Sequence, residues 1–131
     1  MFEIKKIRLF AFDLDGTLYI GENAITGAAD LIYCLRQKYQ VVFFTNNSSK
    51  TVAQVHQKLN RIGIECELDE VYTSSSATAN YLKESGIDNI YVIGSQSFRD
   101  ELKNYGLRIV EDDSAENLVV GLDFDFNYTK A

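Results

Sequence analysis

Two acidic side chains follow directly on an apolar segment near the start of the chain. The stretch AFDLDGTLYI, residues 11–20, places Asp13 and Asp15 one residue apart, with Gly16 and Thr17 next. Two carboxylates about 4 Å apart repel each other by about 4 kcal/mol at an effective dielectric constant near 20. Mg²⁺ offsets such repulsion, because it prefers carboxylate oxygens and often shares its shell with a phosphate. The pair therefore suggests a site for a cation and a phosphate.

A second polar cluster follows another apolar segment. QVVFFT, residues 40–45, ends in Thr45, and Asn46 begins the run NNSSKT. Hydroxyls and backbone N–H groups ahead of a helix are suited to phosphate oxygens. Asp-Gly after a strand is also common turn chemistry, and Ser, Thr and Asn are common helix caps. Either cluster alone fits that structural role better, whereas both together at successive strand ends favour a site.

The elements that position these clusters follow from the apolar pattern. Between the strands lie segments of helical spacing, the first with Thr26 as its predicted N-cap, and Gly63, Gly86 and Gly106 each end a helix as left-handed C′ residues. This alternation predicts an α/β fold with a largely parallel sheet, in which ligands bind beyond the carboxyl ends of the strands. The strands are predicted at residues 7–13 (central, covered on both faces), 40–45, 70–74, 89–94 and 117–123.

Composition narrows the class of protein. The 131 residues are 46% hydrophobic and 24% charged, which is typical of one globular domain. A net charge of −6 argues against a nucleic-acid backbone as partner. No apolar run approaches the 18 residues of a membrane span, and no signal peptide is evident, so we expect a cytoplasmic protein with no membrane partner. Cys34 and Cys66 are expected to be free thiols, with Cys34 buried.

The motifs resemble those of a known family. DLDGTLY is similar to the first motif of the haloacid dehalogenase (HAD) superfamily, and VVFFTNNSSK resembles its second motif in the NagD-like, p-nitrophenylphosphatase-type branch. VYTSSSATANYL, YVIGS and VVGLDFDFNY are also similar to that branch, so the resemblance covers nearly the whole chain. It implies a HAD-type, Rossmann-like parallel sheet core, incomplete here, with the first part of an inserted α/β cap domain. Residues 1–78 would belong to the core and 79–131 to the cap.

The resemblance also implies roles for four residues. Asp13 would be the nucleophile that forms an aspartyl-phosphate, and Asp15 the general acid and base. Both would bind Mg²⁺, Asp13 through its carboxylate and Asp15 through its backbone carbonyl. Thr45 and Asn46 would hold the transferring phosphoryl group. The implied activity is that of a Mg²⁺-dependent phosphatase acting on small phosphorylated metabolites.

The chain departs from the family pattern in two motifs. It has no third-motif lysine, since Lys50 follows the second motif too closely and Lys130 lies in the cap-like region, and it has no fourth-motif GDxxxxD pair. We therefore expect the N-terminal half of a longer protein, truncated within the cap and with little or no activity alone. Exposed sheet edges would then allow homo-oligomers. The alternative is a non-catalytic α/β phospho-acceptor or binding module.

Overall fold

The computed structural model describes residues 6–127. The first five residues of the predicted core segment and the last four of the predicted cap segment, among them Lys130, lie outside that range. Strands and helices alternate along most of these residues, as the sequence predicts. The elements are β1 Leu9–Asp13, β2 Tyr19–Ile20, β3 Asn23–Ala24, α1 Ala28–Arg36, β4 Gln40–Thr45, α2 Val52–Arg61, β5 Val71–Thr73, α3 Ser74–Glu84, β6 Asn89–Ile93, α4 Gln96–Asn104, β7 Arg108–Ile109 and β8 Asn117–Val120.

The chain forms two compact units. The first contains the residues up to Thr45 together with Ala53–Tyr72, and the second contains Asn46–Val52 together with the residues from Thr73 onward. The division into a core part, 1–78, and a cap part, 79–131, stays a prediction. No helix within residues 6–127 is long and apolar enough to cross a bilayer.

The sheet of the first unit has the strand order β1-β4-β5. Strands β1 and β4 are parallel, with Leu9 opposite Gln40 and Asp13 opposite Phe44. The prediction that β1 is central and covered on both faces is wrong. Among residues 6–127, β1 is an edge strand of this sheet, and Leu9, Ala11 and Asp13 are exposed on one face while the alternate residues are half-buried.

Three helices end at the glycines that the sequence predicts. Gly63 has φ 87°, and after α2 its N–H donates to the Asn60 carbonyl at 3.1 Å while the Ile64 N–H donates to the Leu59 carbonyl at 2.9 Å. The same pair of bonds closes the helices before Gly86 and Gly106, so the three left-handed C′ glycines are confirmed. Thr26 is not the cap of α1: Gly27 takes that position at φ 84° without a side-chain hydrogen bond.

In the second unit, β6 lies between β7 and β8 and is parallel to both. Strand β7 was not predicted, because two residues carry too little periodicity to be recognised. Buried residues of α3, α4 and β6 form an apolar cluster with Phe98 at 2% exposure.

Both cysteines are free thiols, but Cys34 is exposed and Cys66 is buried, so the burial predicted for Cys34 is wrong.

Candidate active site

The two carboxylates lie at the carboxyl end of β1, next to the end of β4. Asp13 ends β1, and the hydroxyl of Thr17 donates to its Oδ2 at 3.1 Å. Thr45 ends β4, is buried, and its Oγ1 lies 3.5 Å from Oδ2 of Asp15. The first unit therefore brings together three of the predicted residues, Asp13, Asp15 and Thr45, at adjacent strand ends.

A tight turn after β1 fixes the direction of the Asp15 side chain. Leu14 is fully buried, and its carbonyl accepts hydrogen bonds from the N–H groups of Thr17 and Leu18 at 3.1 and 2.9 Å. Gly16 has φ 80°, a left-handed conformation that favours glycine, and its N–H donates to the Tyr19 carbonyl at 2.8 Å. This local geometry explains why Asp-Gly-Thr follows the strand.

Tyr19 belongs to this site, although the sequence reasoning did not select it. Its hydroxyl donates to Oδ2 of Asp15 at 3.1 Å, and the residue is only 3% exposed. Lys58 Nζ lies 3.7 Å from the centroid of the Tyr19 ring, within range of a cation–π interaction. The available signal was the position of a tyrosine four residues after Asp15 in DGTLY.

Electrostatics keep the Tyr19 hydroxyl protonated. Burial raises the pKa of Tyr19 well above its usual range, and the negative charge of Asp15 raises it further. The tyrosine therefore acts as a neutral hydrogen-bond donor to Asp15.

Asn46, the fourth predicted site residue, begins the segment assigned to the second unit. Its carbonyl accepts a hydrogen bond from Ser74 Oγ at 3.0 Å. Oδ1 of Asn47 accepts from the Ser49 N–H at 2.8 Å, and the Ser48 hydroxyl accepts from the Leu122 N–H at 2.9 Å. Much of the polar run NNSSKT thus also has a structural role, which was the alternative interpretation of this cluster.

Asp13 and Asp15 fit part of a magnesium shell. Mg²⁺ in proteins is commonly held by one or two carboxylates and retains several waters, so two acids at a strand end match its chemistry. Within residues 6–127 no group of three or more Asp, Glu, His or Cys side chains is arranged to hold a metal.

The described residues form an α/β fold with a parallel sheet and two acids at and just beyond the carboxyl end of β1. A family model described as haloacid dehalogenase-like hydrolase matches residues 10–108. The chain belongs to this haloacid dehalogenase-like hydrolase family, and its relatives place it in the NagD-like, p-nitrophenylphosphatase-type branch.

Curated relatives match nearly the whole chain but are about twice as long. The acid sugar phosphatase of Staphylococcus haemolyticus is 36% identical over 129 residues, which are 97% of this chain and 49% of that enzyme. The acid sugar phosphatase of Staphylococcus epidermidis strain RP62A is 38% identical over 97% of this chain and 50% of its own length. The chain thus spans about half the length of these relatives.

Solved structures also match nearly the whole of this chain over about half or less of their own length. A putative NagD protein superposes with a TM-score of 0.90 at 30% identity, covering 98% of this chain and 51% of its own. The 4-nitrophenylphosphatase of Thermotoga maritima gives 0.88 at 31% identity, covering 95% and 48%. A glycerol phosphate phosphatase of Mycobacterium tuberculosis, solved in complex with calcium, gives 0.79 at 26% identity, covering 93% and 37%.

Proposed function

We propose that this chain carries the nucleophile and the general acid of a Mg²⁺-dependent phosphatase that hydrolyses small phosphorylated metabolites. The observation that supports it is the placement of Asp13, Asp15 and Thr45 at the ends of the adjacent parallel strands β1 and β4. The names of the relatives, acid sugar phosphatase and 4-nitrophenylphosphatase, support phosphate monoesters, and sugar phosphates among them, as the substrate class.

In the first half-reaction, a carboxylate oxygen of Asp13 attacks the phosphorus, and the bond to the leaving oxygen breaks. Asp15 donates its proton to that leaving oxygen, which departs as an alcohol. In the second half-reaction, Asp15 takes a proton from a water that attacks the aspartyl-phosphate. Inorganic phosphate leaves, and the Asp13 carboxylate is restored.

The surrounding residues orient these groups. Tyr19 donates to Asp15 and Thr17 donates to Asp13, so each carboxylate is held by a neutral hydroxyl. Thr45, and the Asn46 N–H in our proposal, bind the phosphoryl oxygens. When bound at Asp13 and Asp15, Mg²⁺ would neutralise charge on the phosphate.

We also propose that the 131-residue chain alone turns over slowly. The sequence has neither the third-motif lysine nor the fourth-motif acidic pair of the family that it resembles. Loss of one electrostatic group in an active site commonly lowers the rate by about 10²–10³. Hydrolysis of p-nitrophenyl phosphate is therefore expected to be at least about 10²-fold slower than by the S. haemolyticus enzyme measured beside it.

The decisive experiment measures binding of beryllofluoride, a mimic of an acyl-bound phosphoryl group, with Mg²⁺ by ¹⁹F NMR. We expect a bound resonance that disappears in Asp13→Asn and persists in Asp30→Asn, a matched change in the first turn of α1. A resonance that persists in Asp13→Asn would refute the nucleophile assignment. A phospho-acceptor module would give the same bound resonance, so any release of p-nitrophenol by the chain that Asp13→Asn abolishes favours the phosphatase over that alternative.

A further inference from the structure

Four consecutive hydroxyl side chains stand at the start of α3. Thr73 is the N-cap of this helix, and its hydroxyl accepts from the Ser76 N–H at 3.0 Å. The Ser76 hydroxyl accepts from the Thr73 N–H at 3.0 Å and donates to the Thr73 carbonyl at 2.9 Å. These two residues complete a capping box, which leaves the hydroxyls of Ser74 and Ser75 for other partners.

The hydroxyls of Ser74 and Ser75 hold the segment that follows β4. Ser74 Oγ donates to the Asn46 carbonyl at 3.0 Å, and Ser75 Oγ donates to the Ser48 carbonyl at 3.2 Å. The paired residues lie 28 and 27 positions apart in the sequence, so both bonds are tertiary contacts. All four residues belong to the second compact unit.

A third hydrogen bond holds the same segment from the end of β8. The Leu122 N–H donates to the Ser48 hydroxyl at 2.9 Å. Ser48 is buried and Ser75 is fully buried, so these bonds are shielded from water. The segment that begins at Asn46 is therefore fixed by its own backbone and hydroxyl groups at successive positions.

The bond from Ser74 restricts two N–H groups. The peptide group between Asn46 and Asn47 is trans, so a carbonyl directed at Ser74 turns the Asn47 N–H away from Ser74. Only the two backbone dihedral angles of Asn46 separate that carbonyl from the Asn46 N–H. Asn46 is exposed, so packing of its side chain does not hold its backbone in place. The Ser74 hydroxyl supplies the restraint instead.

We propose that Ser74 is a positioning residue for phosphate binding. Its hydroxyl holds the Asn46 backbone so that the Asn46 N–H keeps the direction in which it donates to a phosphoryl oxygen. This inference rests on the proposed function, in which that N–H is a phosphate ligand. Ser74 acts through Asn46, and a donor that is already oriented needs no reorganisation when the negative charge arrives.

The test compares two alanine substitutions two residues apart in the 131-residue chain. Ser74→Ala removes the bond to the Asn46 carbonyl. Ser76→Ala is the matched control, because it removes a hydroxyl of the capping box from the same helix and leaves the Ser74 bond in place. Ser74→Thr keeps a hydroxyl at the position and tests rescue.

The first measurement is ¹⁵N relaxation of the Asn46 and Asn47 backbone amides without ligand. We expect lower order parameters for both amides in Ser74→Ala, unchanged values in Ser76→Ala, and recovery in Ser74→Thr. Circular dichroism shows first that each variant is folded. If Ser74→Ala does not fold, Ser74→Cys replaces it, because a thiol is of similar size and only a weak donor.

The second measurement is the Kd for beryllofluoride with Mg²⁺, from a titration followed by ¹⁹F NMR. We expect Ser74→Ala to weaken binding at least about tenfold, because a small misplacement of a group in the site can cost about 10²-fold. Ser76→Ala and Ser74→Thr are expected to bind as tightly as the unsubstituted chain.

Unchanged order parameters at Asn46 in Ser74→Ala would overturn the proposal whatever the binding result. Equal weakening by Ser74→Ala and Ser76→Ala would also overturn it, because the effect would then come from the stability of α3. Tight binding by Ser74→Ala would reject the positioning role and leave the proposed function standing. An unsubstituted chain that binds no beryllofluoride would refute the proposed function itself, and the role of Ser74 in phosphate binding with it.

Discussion

At the residue scale, neutral hydroxyl groups of the described residues contact the two site carboxylates. Asp15 Oδ2 has Tyr19 OH at 3.1 Å and Thr45 Oγ1 at 3.5 Å, and Asp13 Oδ2 accepts from Thr17 at 3.1 Å. Neutral donors orient a carboxylate without neutralising its charge. That leaves the negative charge of the Asp13 carboxylate available for a cation.

Removal of the Tyr19 hydroxyl is the direct test of this arrangement. Tyr19→Phe keeps the buried ring over Lys58 but deletes the bond to Asp15, and we expect the free energy of unfolding to fall by about 1 kcal/mol. Urea denaturation measures the change. Tyr33→Phe, at an exposed tyrosine of α1, is the control and is expected to have no effect. Equal stabilities for Tyr19→Phe and the unsubstituted chain would show that the hydroxyl contributes nothing.

Glu101 gives the second prediction at this scale. It is 4% exposed on α4, and burial raises its pKa although the backbone N–H of Val52 donates to it. Because the folded-state pKa lies above the unfolded value, the stability that Glu101 supports is fully present below the unfolded pKa and is lost as the pH rises through the folded pKa. Glu101→Gln should therefore raise Tm at pH 7 but not at pH 4.

The measurement is thermal unfolding of the unsubstituted chain and of Glu101→Gln at several pH values between 4 and 7. Glu84→Gln, at an exposed position near the end of α3, serves as the control and should leave the Tm profile unchanged. If the difference in Tm between Glu101→Gln and the unsubstituted chain is the same at every pH, Glu101 does not titrate as burial implies.

At the scale of elements, one aromatic ring joins α4 to two strands. A Cβ at Gly94, after β6, would lie 2.5 Å from Cδ1 of Phe98, and a Cβ at Gly121, after β8, would lie 2.7 Å from the same atom. The Gly121 N–H donates to the Ile93 carbonyl at 2.8 Å, so the strands remain paired at this point. The absence of both side chains is what lets the ring lie against the strand ends.

Gly121→Ala is therefore expected to destabilise the chain by about 1–3 kcal/mol through overpacking. Gly121 has no positive φ, so backbone strain does not contribute. In the double variant Gly121→Ala, Phe98→Leu, the smaller side chain makes room, and the total loss should be less than the sum of the two single losses. Additive losses, measured by urea unfolding, would show that the methyl group does not meet the ring.

At the scale of the whole molecule, the sequence predicted what depends on local pattern. Glycines after apolar helices, strands of five or six residues and the strand-end acids all have local signals, and Gly63 and Asp13 are examples. The exposure of β1 could not be predicted, because it depends on which strands lie beside it. Tyr19 was missed because its spacing from Asp15 in DGTLY becomes informative only with the turn geometry that brings its hydroxyl to the carboxylate.

We expect any self-association through the exposed apolar edge of β8 to depend on the net charge of the chain. Val120 is 65% exposed on this edge strand, and Leu118 is exposed on the same face. The chain has a net charge of −6 at pH 7 and a pI near 4.7, so mutual repulsion weakens as the pH falls. We expect the weight-average mass from light scattering to rise between pH 7.5 and 5.5.

Val120→Lys should suppress that rise, because a lysine blocks edge pairing. Tyr81→Lys adds the same positive charge at a residue that is 67% exposed on α3, and because that charge weakens the mutual repulsion of the negative chains it should not suppress the rise. Equal suppression by both variants would remove β8 as the contact.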